Sequence, residues 1–362
     1  MTAADGLYIG LMSGTSIDGI DAALIQCGSE IRLLASHSHP IPTELRDQIL
    51  ALCQPGENEI DRAGHVHIAM GNLFAEATIA LLQTTGVAAS QVKAIGCHGQ
   101  TIRHRPGASG YTVQIGSADV LAVRTGIAVV NDFRNRDMVL GGQGAPLVPA
   151  FHQAMWGQHP RCAIVNIGGM ANITCLDKGD IINGFDTGPG NVLMDYWVQK
   201  HRNVPFDRNG AWAASGRVQP ELLASFLEES YFSLPCPKST GRELFNASWL
   251  DNHLGEYSAN DVQATLLELT ATSIATALSP FAPEQVLVCG GGAHNQALMH
   301  RLQKMMANVP VDTTDAAGMP PDWVEAAAFA WLAWARLNGV AGNIVKVTGA
   351  HRRSVLGALY LP

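Results

Sequence analysis

The sequence predicts an α/β protein built from two related domains. Three observations carry that prediction. Two strand–glycine turn–strand units, at residues 7–26 and 163–176, each open a strand-rich half of the chain. Behind each one, short apolar runs alternate with helical periodicities. A third glycine run, Gly290-Gly-Gly292, ends a buried-looking strand and precedes a helix. A chain of 362 residues has the length of about two domains. We divide it at 1–132, completed by the C-terminal segment, and 133–362.

The elements follow in order. Residues 7–13 and 20–26 are apolar runs around a polar Gly/Ser/Thr/Asp turn, the pattern of a β-hairpin, and 30–35 adds a third strand. Helical periodicity covers 43–53 and 60–85. A strand from Val92 runs into Gly96-Cys-His-Gly-Gln-Thr101, and strand-like segments recur at 112–116 and 127–131. Gly141-Gly-Gln-Gly-Ala-Pro146 reads as a loop, flexible or functional. The second half opens near residue 162 with a strand, a glycine turn and a strand. Residues 181–195 give a strand, a Gly-Pro-Gly loop and a helix start. Helices are expected at 218–230 and 261–279, after the Gly290-Gly-Gly292 strand, and from near Asp322.

Composition excludes several classes. With 47% hydrophobic and 15% charged residues, the chain is no disordered segment. A net charge of −8 argues against nucleic acid as a partner. No basic-then-apolar N-terminal segment reads as a signal peptide. No apolar run approaches the roughly 20 residues that span a bilayer, so no membrane partner is expected. Seven scattered cysteines without a CxxC pair fit a reducing cytoplasm and neither a disulfide scaffold nor a zinc knuckle.

The glycine turns need a chemical reason. Glycine lets backbone approach a ligand, and consecutive N–H groups in such a turn form an anion site. In the first turn, Gly14, Thr15 and Ser16 offer those donors and two hydroxyls. Asp18 and Asp21 suit a magnesium ion that keeps part of its hydration shell. The segment reads equally as a tight hairpin whose Ser, Thr and Asp bond their own backbone. Asn166-Ile-Gly-Gly169 mirrors it, and alone is first of all a structural turn. Gly290-Gly-Gly292 lies where a nucleotide rests against a helix N-terminus. The G-x-G-x-x-G spacing fails at Asn295, and there is no G-x-x-x-x-G-K-[ST]. All three turns in this order give the phosphate, phosphate, adenosine arrangement of an actin-like nucleotide cleft.

Longer segments narrow the reading. These are Gly10-Leu-Met-Ser-Gly-Thr-Ser-Ile-Asp-Gly-Ile-Asp21, Gly96-Cys-His-Gly-Gln-Thr101, Gly141-Gly-Gln-Gly-Ala-Pro-Leu-Val-Pro149, Gly184-Phe-Asp-Thr-Gly-Pro-Gly-Asn191, Pro237-Lys-Ser-Thr-Gly-Arg-Glu243 and Val288-Cys-Gly-Gly-Gly292. They resemble the signature segments of the anhydro-N-acetylmuramic acid kinases, as do Val347-Thr-Gly-Ala350 and Leu356-Gly-Ala-Leu-Tyr360. One departure is Asp132-Phe-Arg-Asn-Arg-Asp137, where the family usually has a third arginine at the position of Asn135. The resemblance implies two RNase H-like domains of the actin and hexokinase type with a nucleotide cleft between them. It implies a cytoplasmic, dimeric enzyme of cell-wall recycling that uses ATP and Mg2+. Such an enzyme opens the bridge of 1,6-anhydro-N-acetylmuramic acid with water and phosphorylates O6.

The resemblance also assigns residues. Asp186 becomes the catalytic base, where local reading alone gives a turn-forming aspartate. Gly14 to Asp21 (with Ile17, Gly19 and Ile20), Asn166, Gly168, Gly169, Gly290, Gly291 and Gly292 bind ATP, and Asp18 and Asp21 serve the metal. His98, Gln100, Thr101, Arg136 and Glu325 contact the sugar. Read locally, Glu325 stands three residues after Asp322, the spacing of a capping box. Arg134 and Arg136 both suit a lactyl carboxylate or a solvated turn, and the resemblance favours Arg136. His98 and His104 share no helical face and lack a zinc pattern. Lys238 and Arg242 fit either phosphate or a solvated loop. Two rival classes remain: a sugar or acyl kinase without ring hydrolysis, and a non-enzymatic nucleotide-binding regulator.

Overall fold

The computed structural model describes residues 5–14, 17–107 and 109–362. The chain divides into two compact units, Met1–Met155 with Trp323–Pro362, and Trp156–Asp322.

In the first unit β1 (Gly6–Met12), β2 (Gly19–Cys27) and β3 (Arg32–Pro40) form an antiparallel meander. α1 (Thr43–Leu52) and α2 (Glu59–Thr85) follow, then β4 (Val92–Cys97), parallel to β1. β5 (Gln100–Arg105) and β6 (Tyr111–Ile115) make a separate hairpin. α3 (Ala118–Thr125), β7 (Val129–Asn131), α4 (Phe133–Val139) and α5 (Pro149–Trp156) complete the first pass. Among the described residues α2 alone has the length and composition to cross a membrane. Its apolar stripe, including Val66, Met70, Leu73 and Phe74, is buried in the core of this unit.

The second unit repeats the plan with β8 (Cys162–Ile167), β9 (Met170–Asp177) and β10 (Asp180–Pro189). Next come α6 (Val192–Arg202), α7 (Ala211–Ala214), α8 (Pro220–Leu227), α9 (Ala247–Asp251) and α10 (Ala259–Leu278). β11 (Gln285–Cys289), α11 (Gln296–Met305) and β12 (Val311–Thr313) close it. α12 (Val324–Leu337), α13 (Val345–Thr348) and β13 (Ala358–Tyr360) return to the first unit.

Strand order carries the fold class. The first sheet runs β3-β2-β1-β4-β7 with β13 added at its edge, and the second runs β10-β9-β8-β11-β12. Numbered within its own sheet, each is 3-2-1-4-5: an antiparallel meander followed by strands parallel to the first. This is the RNase H-like order, present twice, as the family resemblance implies. The first unit extends past residue 132 to Met155 and takes in Trp323–Pro362, whose β13 pairs with β7.

Two facing glycines seat the last long helix. Gly10 and Gly96 are register partners on β1 and β4. A Cβ on Gly10 would collide with the Ala326 carbonyl, and one on Gly96 with the Phe329 carbonyl. Both positions therefore admit α12 into backbone contact with the sheet. Alanines at 326, 327, 328, 330 and 333, all buried, complete the close packing. This fixes the N-terminal turn of α12, and with it Glu325.

All seven cysteines lie among the described residues and form no disulfide; five are buried.

Candidate active site

In both units the candidate residues gather where parallel strands end, the usual place for a ligand in an open α/β sheet. In the first unit the His98 N–H donates to the Leu11 carbonyl (3.0 Å), joining the ends of β4 and β1. Ring atom Nδ1 of His98 lies 2.8 Å from the Gly99 carbonyl, which only accepts. The proton is thus on Nδ1, and Nε2 accepts from Arg134 Nη2 (2.9 Å) and Nε (3.1 Å). Burial first, and the Arg134 charge second, hold the His98 pKa well below its usual range. His98 is a neutral acceptor that orients Arg134, and its ring also packs on Phe329 of α12 at 4.7 Å between centroids. Arg134 gives a further bond to the Gly144 carbonyl (2.7 Å). Its pKa is lowered to about 10 by burial, against the charges of Glu325 and Asp137.

Glu325 is the second residue of α12. Burial raises its pKa, Arg134 opposes the rise, and the Asp21 carboxylate adds to it. Asp21 and Glu325 therefore feel each other's like charge, a donor set that a divalent cation would offset. The capping box does not form. A 3₁₀ turn, Pro321–Trp323, precedes the helix, the cap position is Trp323, and no side chain caps it. The Asp322 carboxylate instead pairs with His294 Nε2 at 2.8 Å.

The other predicted residues of this unit divide by burial. Ile17 and Ile20 are core residues, so only their backbone is available to a ligand. Thr15 and Ser16 lie outside the described residues. Asp18 is exposed and paired with Arg46 at 3.3 Å. Gln100 is buried; its Oε1 accepts from Ser13 Oγ (2.6 Å) and its Nε2 donates to the Thr101 carbonyl (3.2 Å). It thereby ties the glycine hairpin to β5. Thr101 Oγ1 accepts from Gln114 Nε2 at 3.1 Å. Arg136 is exposed, whereas Arg134 turns inward. Asn135 Nδ2 donates to Asp132 Oδ1 (2.6 Å) at the start of α4, which gives the departing residue a local structural role. Asp137 is fully buried. It accepts from Asn343 Nδ2 (2.8 Å), Thr348 Oγ1 (2.8 Å) and Gly144 N–H (2.8 Å), which orders the Gly141–Gly144 loop.

In the second unit β8 and β11 run parallel, and Asn166 is the register partner of Cys289. The two glycine turns therefore lie side by side. Gly290 has φ +77°, and a side chain there would strike Asn166 Oδ1. Asn166 Oδ1 is itself buried without a hydrogen-bond partner, as is Thr240 Oγ1. Buried acceptors of that kind call for a ligand or water. The Gly168 carbonyl accepts from Asn191 N–H (2.8 Å) and the Gly169 carbonyl from Gly190 N–H (2.8 Å). These bonds lock the β8–β9 turn to the loop that leads from β10 into α6. Gly291 is exposed and Gly292 buried against Ile167.

Asp186 lies near the end of β10, where the pairing with β9 is bulged between Asp186 and Gly188. A bulge re-aims a side chain. A loop 54 residues away holds it: Thr240 N–H donates to Asp186 Oδ2 at 3.0 Å. Asp186 N–H donates to the Lys238 carbonyl (3.2 Å), and the Tyr231 hydroxyl donates to the Asp186 carbonyl (2.6 Å). Burial raises the carboxyl pKa to about 7; the Thr240 amide opposes this and the Glu243 charge adds to it. A carboxyl poised near neutrality suits a general base. Lys238 is spent on structure, donating to the Tyr231 (3.0 Å) and Phe232 (3.1 Å) carbonyls. Sequence reasoning missed the roles of Tyr231 and Thr240. Its one signal was the Pro237–Glu243 segment, whose glycine, serine and threonine mark a loop without naming its target. Among the described residues no group of three His, Cys, Asp or Glu side chains has the arrangement of a metal site.

The family model described as anhydro-N-acetylmuramic acid kinase matches residues 6–362. The chain is 54% identical over 359 residues to the anhydro-N-acetylmuramic acid kinase of Pseudomonas paraeruginosa (strain DSM 24068 / PA7), covering 98% of each chain. It is 48% identical over 364 residues to the enzyme of that name from Vibrio cholerae serotype O1, again covering 98% of each. Among solved structures, the activator of 2-hydroxyisocaproyl-CoA dehydratase from Clostridium difficile with bound ADPNP superposes with a TM-score of 0.48 at 14% identity, over 91% of this chain and 94% of that one. The full-length match and these identities establish that the chain belongs to the anhydro-N-acetylmuramic acid kinase family.

Proposed function

We propose that the chain is an ATP-dependent kinase that opens the 1,6-anhydro bridge of 1,6-anhydro-N-acetylmuramic acid and phosphorylates O6, giving N-acetylmuramic acid 6-phosphate. The observation that carries this reading is Asp186: a carboxyl poised at about 7 and held by the Thr240 N–H. Asp186 takes a proton from water as the water oxygen bonds C1. The C1–O6 bond breaks, O6 takes the γ-phosphoryl group, and ADP leaves. An ordinary glycosidase needs a second carboxyl to protonate its leaving oxygen; here the phosphoryl group replaces that proton.

The remaining roles follow the chemistry of each group. Gly14 to Asp21, Asn166, Gly168, Gly169 and Gly290 to Gly292 serve the nucleotide. His98, Gln100, Thr101, Arg136 and Glu325 serve the sugar, with Arg134 held ready by His98. Asp18 and Asp21 would hold magnesium, which supplies charge neutralisation to the phosphates. The enzyme acts in the cytoplasm as a homodimer, as the family resemblance implies.

Turnover in oxygen-18 water tests the reaction. The label is expected on C1, with the phosphate ester unlabelled. A label-free sugar phosphate overturns ring hydrolysis and identifies an ordinary kinase. Asp186→Asn is expected to lose at least about 100-fold in kcat, the lower range for general-base assistance, while still binding ATP.

A further inference from the structure

β10 is an edge strand of the second sheet, so one side of its backbone has no strand partner. Asp186 turns both of its main-chain groups to a loop instead. Its N–H donates to the Lys238 carbonyl (3.2 Å), and its carbonyl accepts from the Tyr231 hydroxyl (2.6 Å). We infer that Lys238 and Tyr231 are positioning residues for the reaction: together they hold the backbone of Asp186 and the loop that carries Thr240, so that the Thr240 N–H meets the Asp186 carboxylate. This rests on the reading of Asp186 as the base.

The contacts close on themselves. Lys238 Nζ donates to the carbonyls of Tyr231 (3.0 Å) and Phe232 (3.1 Å), both in a 3₁₀ turn, Ser230–Ser233. The same ammonium stands 4.6 Å from the centre of the Tyr231 ring and 5.7 Å from that of Phe185, within cation–π range. Phe185 is the residue before Asp186. One side chain therefore ties the 3₁₀ turn to the strand that carries the base. The turn is itself anchored: Trp249 Nε1 donates to Glu229 Oε2 (3.0 Å), and the Tyr231 ring packs edge-on to Phe245 at 5.8 Å. Only Ser239 separates Lys238 from Thr240, so a displaced Lys238 displaces the Thr240 amide.

That amide has a chemical effect. An N–H donating to a carboxylate favours its charged form. At Asp186 the Thr240 N–H opposes burial, while Glu243 adds to it. The other titratable groups of the cluster are Tyr231, on which Asp186, Glu243 and Cys236 bear, and Lys238, on which Cys236 bears. A bond at Oδ2 also restrains the carboxylate, and with it the direction from which Oδ1 can take a proton from water. Lys238 and Tyr231 thus act on the base without touching the substrate.

The test uses the full chain. Lys238→Met keeps the apolar stem and removes the ammonium, and Tyr231→Phe removes one neutral hydroxyl. In both, the acid limb of kcat/KM is expected to move to higher pH by about 0.5 to 1 unit, since two to three backbone N–H bonds take a carboxyl from about 3.9 to below about 2. At pH 7 that alone lowers kcat/KM about two- to fivefold. The ratio of variant to wild type should climb between pH 7 and 9, with the KM for ATP unchanged. A ratio that stays flat marks a merely structural pair and overturns the inference. A shift in Lys238→Met alone is the direct effect of its charge, and a downward shift means that the loop acts by excluding water; either overturns it too. Tyr231→Phe carries the test should Lys238→Met fold poorly. Carbon-13 NMR titration of the Asp186 carboxyl, assigned by its loss in Asp186→Asn, reads the same shift without turnover. If that resonance moves as expected while the wild-type rate has no acid limb, Asp186 is not the base and the positioning stands.

Discussion

Lowering the pH separates Asp186 from an ordinary carboxylate. Its pKa of about 7 arises first from burial, with Glu243 adding repulsion. At pH 7 about half of the molecules carry the base form, and at pH 5 about one in a hundred. kcat/KM should therefore fall about 50-fold between these values, with unit slope on the acid limb. An aspartate at its usual pKa, about 3.9, would stay largely ionised over the same range. Coupled detection of ADP release gives the rate, and circular dichroism at each pH reports that the protein stays folded. The phosphates of ATP titrate in the same pH range, so Glu243→Gln supplies the discriminating measurement. Removing the like charge eases ionisation of Asp186 and should move the limb to lower pH, whereas a limb owned by ATP stays in place. A flat profile from pH 5 to 7 in folded protein would refute the assignment. Stability runs the opposite way. The folded state favours protonated Asp186, so this contribution is complete below about pH 3.9, the unfolded value, and is lost as pH rises through about 7.

Two further outcomes test the scaffold. Gly10→Ala drives a methyl group into the Ala326 carbonyl; overpacking of this kind costs about 1–3 kcal/mol, read as a lower urea midpoint together with reduced kcat as Glu325 is displaced, and an unchanged midpoint would show that α12 does not need the glycine. Asp137→Ala leaves Asn343 Nδ2, Thr348 Oγ1 and Gly144 N–H without their acceptor, at about 1–3 kcal/mol for each buried unpaired group. Its Tm should fall by more than that of Asp137→Asn, which keeps one acceptor oxygen, and equal values would contradict the network.

Much of the local structure was legible. Apolar alternation around glycine gave β1 and β2, and 3.6-residue periodicity gave α1, α2 and α10 within a few residues of Thr43–Leu52, Glu59–Thr85 and Ala259–Leu278. Of the glycine turns, the third has the plainest physical reason: Gly290 sits at φ +77°, a backbone that favours glycine. What stayed hidden is long-range. Nothing local at Gly10 says that Gly96 will face it, or that α12 will fill the space both leave. The contact of Thr240 with Asp186 spans 54 residues, and local patterns carry no register between a loop and a distant strand. Glu325 misled for a physical reason: its spacing from Asp322 met the capping rule, but an intervening 3₁₀ turn and His294 diverted that aspartate. Arg134 and Arg136 looked alike in sequence because burial, which separates them, is decided by His98 and the Gly144 carbonyl.

The placement of α12 has a consequence for how the chain is made. Its sheet partners β1, β2 and β4 are all synthesised within the first 97 residues, while the helix that covers them begins at Val324. The second unit is contiguous over Trp156–Asp322 and can close on itself as soon as it leaves the ribosome. The unit translated first is therefore finished last. For most of synthesis it presents a bare glycine-pleated sheet face, and that interval is when the nascent chain most needs protection from aggregation.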